Sequence, residues 1–116
     1  MVKYTIYCGL NDKDTKAQEI TTIDAYKVAW NIFAETTGGV TITEAMGIYT
    51  HDDGTIVTET TLRCEVFGAN REQIERTAEA LKVAFNQESV AVEKTVVESE
   101  FIWLYHTFPQ SVNIWP

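Results

Sequence analysis

The feature that most restricts the fold of this chain is a hairpin signal near its middle. The run His51-Asp52-Asp53-Gly54 lies between two stretches in which apolar and polar residues alternate. Asp-Gly in that setting is a strong short-range signal of a β-hairpin, because aspartate and glycine tolerate the positive φ of tight turns. The flanking apolar residues are Val40, Ile42, Met46 and Ile48 before the turn, and Leu62, Cys64 and Val66 after it. We therefore predict an antiparallel pair of strands here.

A helical pattern precedes the hairpin. Thr21 followed by Asp24 is typical of a helix start, and Gly38-Gly39 is typical of a helix end, since glycine enters the left-handed conformation without strain. The sequence thus predicts a helix over residues 22–37. Its apolar residues recur at spacings of three and four and are expected to face the core: Ile23, Tyr26, Trp30 and Phe33.

A second helical pattern follows the hairpin. Asn70 with Gln73 three residues later repeats the capping signal and predicts a helix over residues 71–86. Its apolar face consists of Ile74, Ala78, Leu81 and Phe85. Alternation predicts two outer strands as well, one over residues 2–9 and a valine-rich one over residues 89–100 with Val90, Val92 and Val96 on one face.

The order strand, helix, strand, strand, helix, strand is the ferredoxin-like βαββαβ arrangement of the α+β class. It predicts a four-stranded antiparallel sheet with two helices on one face. A chain of 116 residues is long enough for one core and too short for two. We expect a single domain over residues 1–100 and a separate C-terminal extension over residues 101–116.

Acidic residues outnumber basic ones by 17 to 9, which gives a formal charge of −8. Such a surface repels phosphate and anionic lipid, so we predict no direct nucleic-acid or membrane binding. The charge fits either solvated faces or a surface complementary to a basic protein partner. The first residues lack the apolar run of a signal peptide, which predicts a cytoplasmic protein.

Chemistry-bearing motifs are sparse. Cys8 and Cys64 fall on core-facing strand positions and are expected to be buried free thiols. The residues His51, Asp52 and Asp53 are explained by the turn, so we predict no metal site and no cofactor. Without a nucleophile beside a base, the sequence favours a protein that is not an enzyme.

The C-terminal extension is unusually aromatic. Five of the 13 aromatic residues lie in the last 16 positions: Phe101, Trp103, Tyr105, Phe108 and Trp115. Leaving these rings in water would forgo several kcal/mol at roughly 25 cal/mol per Å² of apolar surface. The extension is therefore expected to pack on its own sheet or on another subunit, and the second alternative predicts a homo-oligomer, a dimer or higher.

Part of the chain resembles a bacterial family of small uncharacterised ferredoxin-like proteins. The resemblance covers about residues 39–90, and its most distinctive segment is Phe85-Asn86-Gln87-Glu88-Ser89-Val90. Other matching segments are Gly39-Val40-Thr41, Ala45-Met46-Gly47-Ile48-Tyr49 and Asp53-Gly54-Thr55-Ile56-Val57-Thr58-Glu59. The resemblance implies the same fold without an established activity, and it draws attention to Glu59, Gln87, Glu88 and Ser89.

Three functions follow from these observations. The first is a non-enzymatic acidic binding protein, one form of which is a phage-type inhibitor of a basic nucleic-acid-binding defence complex. The second is a protein that binds or sequesters a nucleotide-like ligand at a subunit interface, with a site formed from Tyr7, Tyr49, Arg63, Glu59, Gln87 and Glu88. The third is a small dimeric enzyme that uses carboxylates among Glu44, Glu59 and Glu88.

Overall fold

The computed structural model describes residues 1–104 and contains the six predicted elements in the predicted order. They are β1 (Val2–Gly9), α1 (Thr22–Thr36), β2 (Thr41–Thr50), β3 (Ile56–Phe67), α2 (Arg71–Ala84) and β4 (Ala91–Val96). The strands form one antiparallel sheet in the order β2-β3-β1-β4. The ferredoxin-like α+β fold is confirmed.

The hairpin between β2 and β3 is also confirmed. The two strands pair from Thr41 opposite Glu65 to Thr50 opposite Ile56, so β3 begins earlier than the alternation alone indicated. In the turn, the backbone N–H of His51 donates to the Thr55 carbonyl at 2.8 Å. Gly54 has a φ of +88°, which is the left-handed conformation that the Asp-Gly signal predicts.

A single apolar core lies between the sheet and the helices. Its strand residues alternate along β1 and β3, and its helix residues come from α1 and α2. The largest fully buried apolar side chains are Phe33, Ile6, Leu10, Leu62, Ile74 and Leu81. Cys8 and Cys64 are fully buried free thiols, as predicted, and burial is the main reason that the pKa of each is raised to about 12.

The predicted core face of α1 is partly wrong. Phe33 is fully buried, but Trp30 and Ile23 are 65% and 69% exposed. The core positions of this helix are instead Ala25, Ala29 and Phe33, which recur every four residues. Two alanines on the packed side let the helix backbone approach the sheet closely, and this rotation turns the bulky Trp30 outward.

The predicted limits of the last strand are also wrong. It covers Ala91–Val96 instead of residues 89–100, because β1 is its only strand neighbour within residues 1–104. Pairing therefore stops where β1 begins, at Val2 opposite Val96. Of the three valines expected on one face, Val90 packs against the core, while Val92 and Val96 are 37% and 77% exposed.

The cap of α2 provides a test of the local signals. The Asn70 side chain accepts a hydrogen bond from the Gln73 N–H, and the Gln73 side chain accepts one from the Asn70 N–H, both at 2.8 Å. Asn70→Ala removes one partner, so we expect the free energy of unfolding to fall by about 1 kcal/mol in urea titrations. Asn31→Ala, the same change at an exposed position inside α1, is the control. An equal loss in both variants would contradict the assigned role of the cap.

Candidate ligand-binding cleft

A cleft of about 400 Å³ opens at the end of the sheet where β1 and β2 finish and β3 and β4 start. Its walls come from the loop after β1, the end of the β2–β3 hairpin and the segment before β4. The lining includes Asn11, Asp12, Tyr49, His51, Glu59 and Glu88. Four of the six predicted ligand residues therefore line one cavity: Tyr49, Glu59, Gln87 and Glu88.

The Glu59 carboxylate is held at one wall of this cleft. It is half-buried, and its Oε2 accepts a hydrogen bond from the backbone N–H of Asn11 at 3.0 Å. The carboxylate lies across Gly9, where an added Cβ would come within 2.6 Å of Oε2. Gly47 is directly opposite Glu59 in β2, and a Cβ there would be 2.9 Å from the Thr61 hydroxyl. Gly9 thus makes room for the Glu59 carboxylate, and Gly47 makes room for the neighbouring Thr61 side chain.

The other side of the cleft is held by Gln87. Its Nε2 donates to the Asn11 carbonyl at 2.7 Å and to the Phe85 carbonyl at 3.1 Å, so this amide group is engaged within the protein. Glu88 and Ser89 follow it and are exposed. Across the cleft, the rings of Tyr49 and His51 meet edge to face, with centroids 5.3 Å apart. Aromatic rings beside carboxylates suit a ligand with both a flat ring and a positive charge.

The charges of the cleft are mixed, with an acidic excess. The lining contains three carboxylates, those of Asp12, Glu59 and Glu88, against the two lysines Lys13 and Lys16. At this end of the sheet the protein therefore favours a cation over an anion. Within residues 1–104, no group of three or more histidine, cysteine, aspartate or glutamate side chains is arranged to hold a metal ion.

The two remaining predicted ligand residues lie elsewhere on the open face of the sheet. Tyr7 pairs with Arg63 across β1 and β3, and Arg63 is four residues from Glu59, about 13 Å along the strand. The Arg63 guanidinium is 3.1 Å from Glu65. Hydrogen bonding with the Tyr7 side chain, followed by the charge of Glu65, raises the pKa of Arg63. These residues form a separate charged cluster, which Lys3 completes by an ion pair to Glu65 at 3.2 Å.

The first aromatic residues of the C-terminal extension are largely exposed. Phe101 meets Phe67 edge to face with centroids 6.4 Å apart, so this part of the extension touches its own sheet. Phe101 and Trp103 nevertheless remain 59% and 78% exposed. The other three predicted interface residues, Tyr105, Phe108 and Trp115, lie outside the described residues.

Sequence reasoning missed Gly9, Asn11 and Asp12. A glycine inside an alternating strand pattern indicates a close approach of another group, and Gly9 carries that signal at the end of β1. Asn11 contributes through its backbone N–H and carbonyl groups, so its residue type gives no signal of this role.

Gly9→Ala tests how the Glu59 carboxylate is placed. The new methyl group overlaps the carboxylate, which must shift, and we expect this shift to weaken its hydrogen bond with the Asn11 N–H. A hydrogen bond to a charged group contributes about 1.5 kcal/mol, so we expect the Asn11 amide proton to exchange with solvent roughly tenfold faster. Gly39→Ala is the matched control, since that Cβ meets open space. Unchanged Asn11 exchange in Gly9→Ala would show that the carboxylate is not held at this position.

The comparison with protein-family models finds no match, and neither does the comparison with curated proteins. The family resemblance of residues 39–90 is thus supported only in its fold. Solved structures do match. A phage SAM lyase in complex with S-methyl-5'-thioadenosine superimposes with a TM-score of 0.63 at 25% identity, over 81% of this chain and 79% of the lyase. The same kind of lyase in its apo state has a TM-score of 0.56, also at 25% identity, over 81% of this chain and 78% of the lyase.

A second group of similar structures has lower identity. The periplasmic divalent cation tolerance protein CutA from Archaeoglobus fulgidus matches with a TM-score of 0.55 and 13% identity, over 85% of this chain and 87% of CutA. At that identity the likeness concerns the fold alone. None of the helices in residues 1–104 has the length and apolar character needed to cross a membrane. The chain is therefore a small ferredoxin-like protein with structural likeness to a phage SAM lyase and to CutA.

Proposed function

We propose that this protein binds S-adenosylmethionine in the cleft around Glu59 and cleaves it to S-methyl-5'-thioadenosine. The observation that carries the proposal is the convergence of Tyr49, Glu59 and Glu88 on one cavity. It is supported by the likeness to a phage SAM lyase in complex with that thioether. The proposal favours the third sequence-based hypothesis, an enzyme, and revises the expectation that the protein is not one.

The chemistry of the ligand suits this cleft. S-adenosylmethionine carries a sulfonium, an ammonium and a carboxylate, so its net charge is positive and complements the acidic excess of the lining. The cavity of about 400 Å³ lies within the range of about 300–1,000 Å³ that is typical of small-molecule sites. Tyr49 offers a ring for stacking or for contact with the sulfonium, and the Glu59 carboxylate balances the positive charge.

The bond that breaks follows from the product. S-methyl-5'-thioadenosine keeps the methyl and adenosyl groups, so cleavage occurs between sulfur and the methionine γ-carbon, and the bonding electron pair moves to sulfur. The four-carbon fragment then closes on its own carboxylate to a lactone, or it loses a β-proton to a base and leaves as an unsaturated amino acid. Glu59 is the candidate base for the second route and an electrostatic partner of the sulfonium in both.

Glu59→Gln tests the proposal directly. We expect the wild-type protein to release S-methyl-5'-thioadenosine from S-adenosylmethionine, measured by chromatography, and the variant to lose about 100-fold in kcat/KM. Glu35→Gln removes one carboxylate from an exposed position on α1 and should leave the rate within about twofold. Mass analysis of the second product distinguishes the lactone from the unsaturated acid. No thioether release by the wild type, together with an unchanged melting temperature in the presence of S-adenosylmethionine, would contradict the proposal.

The inhibitor hypothesis remains a separate prediction. The comparisons support a small ferredoxin-like protein and do not identify a basic partner.

Homo-oligomerisation has a specific observation in its favour, because Met46, Ile48 and Ile56 on the β2–β3 hairpin are each at least 65% exposed. Adjacent exposed apolar side chains of this kind mark association surfaces. We propose that copies of this chain associate through this side of the hairpin.

Ile48→Lys tests that association. Light scattering should find the full chain as an oligomer and the variant as a smaller species, since a lysine charge is costly inside an apolar contact. Val83→Lys is the control, because Val83 is 72% exposed on α2, away from the hairpin. A monomeric wild type would remove the oligomer proposal, and an Ile48→Lys variant of unchanged mass would place the contact elsewhere.

A further inference from the structure

We infer that Asn86 is a positioning residue that locks the loop after β1 onto the segment before β4 and thereby holds Glu59 in place. Asn86 does not line the cleft, and neither its position in the sequence nor the likeness to other proteins assigns it a role. The effect on catalysis rests on the proposed function, whereas the lock itself is a matter of geometry.

The lock consists of three hydrogen bonds made by one residue. The Asn86 Nδ2 amide donates to Asp12 Oδ2 at 3.0 Å and to Asp14 Oδ2 at 2.9 Å. The Asn86 carbonyl accepts from the Lys13 N–H at 3.0 Å. The backbone of Asn86 has a φ of +49°, a left-handed conformation that asparagine tolerates better than most residues. Asparagine thus meets two needs here, a double donor and a left-handed turn.

The loop after β1 is held in shape by hydrogen bonds of its own. Asp12 Oδ1 accepts from the N–H groups of Asp14 at 2.8 Å and Thr15 at 3.0 Å, which leaves Oδ2 for Asn86. The Asp12 N–H donates to the Ala17 carbonyl at 2.8 Å. The hydrogen bond from the Thr15 N–H, followed by that from the Asn86 side chain, holds the pKa of Asp12 below its ordinary value. The Asp12 carboxylate is therefore ionised at neutral pH and able to act as the acceptor.

Two further hydrogen bonds, which begin at the residue next to Asn86, lead from this lock to Glu59. Next to Asn86, the Gln87 side chain donates to the Asn11 carbonyl at 2.7 Å. The N–H of the same Asn11 donates to Glu59 Oε2 at 3.0 Å. Asn11 is thus held from one side and holds Glu59 on the other. Freeing residues 12–14 from Asn86 loosens Asn11, and the carboxylate then loses its fixed donor.

Two variants of the full chain remove the two side-chain hydrogen bonds of the lock in different ways. Asn86→Gly keeps the left-handed turn and loses the amide, whereas Asn86→Asp keeps the size and replaces the donor by a charge that repels Asp12 and Asp14. We expect both variants to lower kcat for thioether release by about 10- to 100-fold with KM changed less, because the reacting group is misplaced while ligand contacts persist. Asn31→Asp adds the same charge on an exposed part of α1 and serves as the control.

Hydrogen exchange of single amides separates the lock from the catalytic proposal. In both variants the amides of Lys13 and Asn11 should exchange at least about tenfold faster than in the wild type, while exchange in α1 stays unchanged. Slow Lys13 exchange in a folded variant would overturn the lock. Fast exchange with an unchanged kcat would overturn the positioning role.

A wild type that fails to cleave S-adenosylmethionine would refute the proposed function but leave this inference testable. Hydrogen exchange of the Asn11 amide then tests the inference by itself, since protection of this amide reports whether its hydrogen bond with Glu59 is kept. If Asn11 stays protected in Asn86→Gly and Asn86→Asp, the inference is wrong. If Asn86→Asp does not fold, Asn86→Gly carries the same measurements.

Discussion

The register of β1 against β3 is the constraint on which the rest of this structure depends. Ile6 is opposite Cys64 and Cys8 is opposite Leu62, so both strands turn their apolar residues toward the helices. A slip of one residue would move this whole set to the open face, at a cost of several kcal/mol of buried apolar surface. The same register sets Gly9 opposite Thr61 and brings Glu59 level with Asn11. The energy that holds the core thus also places the glutamate.

The order of elements could be predicted because each boundary carries a local signal. The cap at Asn70 and the Asp-Gly turn act within a few residues, so the sequence alone contains them. The errors arose where a distant element decides. The face of α1 follows from how closely Ala25 and Ala29 allow the sheet to approach, and the end of β4 follows from the start of β1. Neither the packing distance of α1 nor the end of β4 can be inferred from the residues of that element alone.

The candidate site was predictable to a similar extent. Tyr49, Glu59, Gln87 and Glu88 were predicted as ligand residues, and they line one cleft. Arg63 and Tyr7 share the open face but lie further along the strands, where Glu65 and Lys3 complete a separate charged cluster. The alternation of apolar and polar residues predicts which face of the sheet a residue lies on. The distance between two residues on that face depends on the register of the strands. Asn11 and Asn86 were missed because their roles depend on loop geometry.

The lock at Asn86 and the neighbouring contact of Gln87 join parts of the chain that are far apart in sequence. Asn86 is 74 residues from Asp12, and Gln87 is 76 residues from Asn11. Closing loops of that length is entropically unfavourable and is compensated only after the strands between them have assembled. No short fragment of this chain contains both walls of the cleft. We therefore expect the cavity to form late in folding, and opening of β4 away from β1 would separate its walls. A ligand that contacts both walls therefore adds a third link between these two parts of the chain, beside the hydrogen bonds of Asn86 and Gln87.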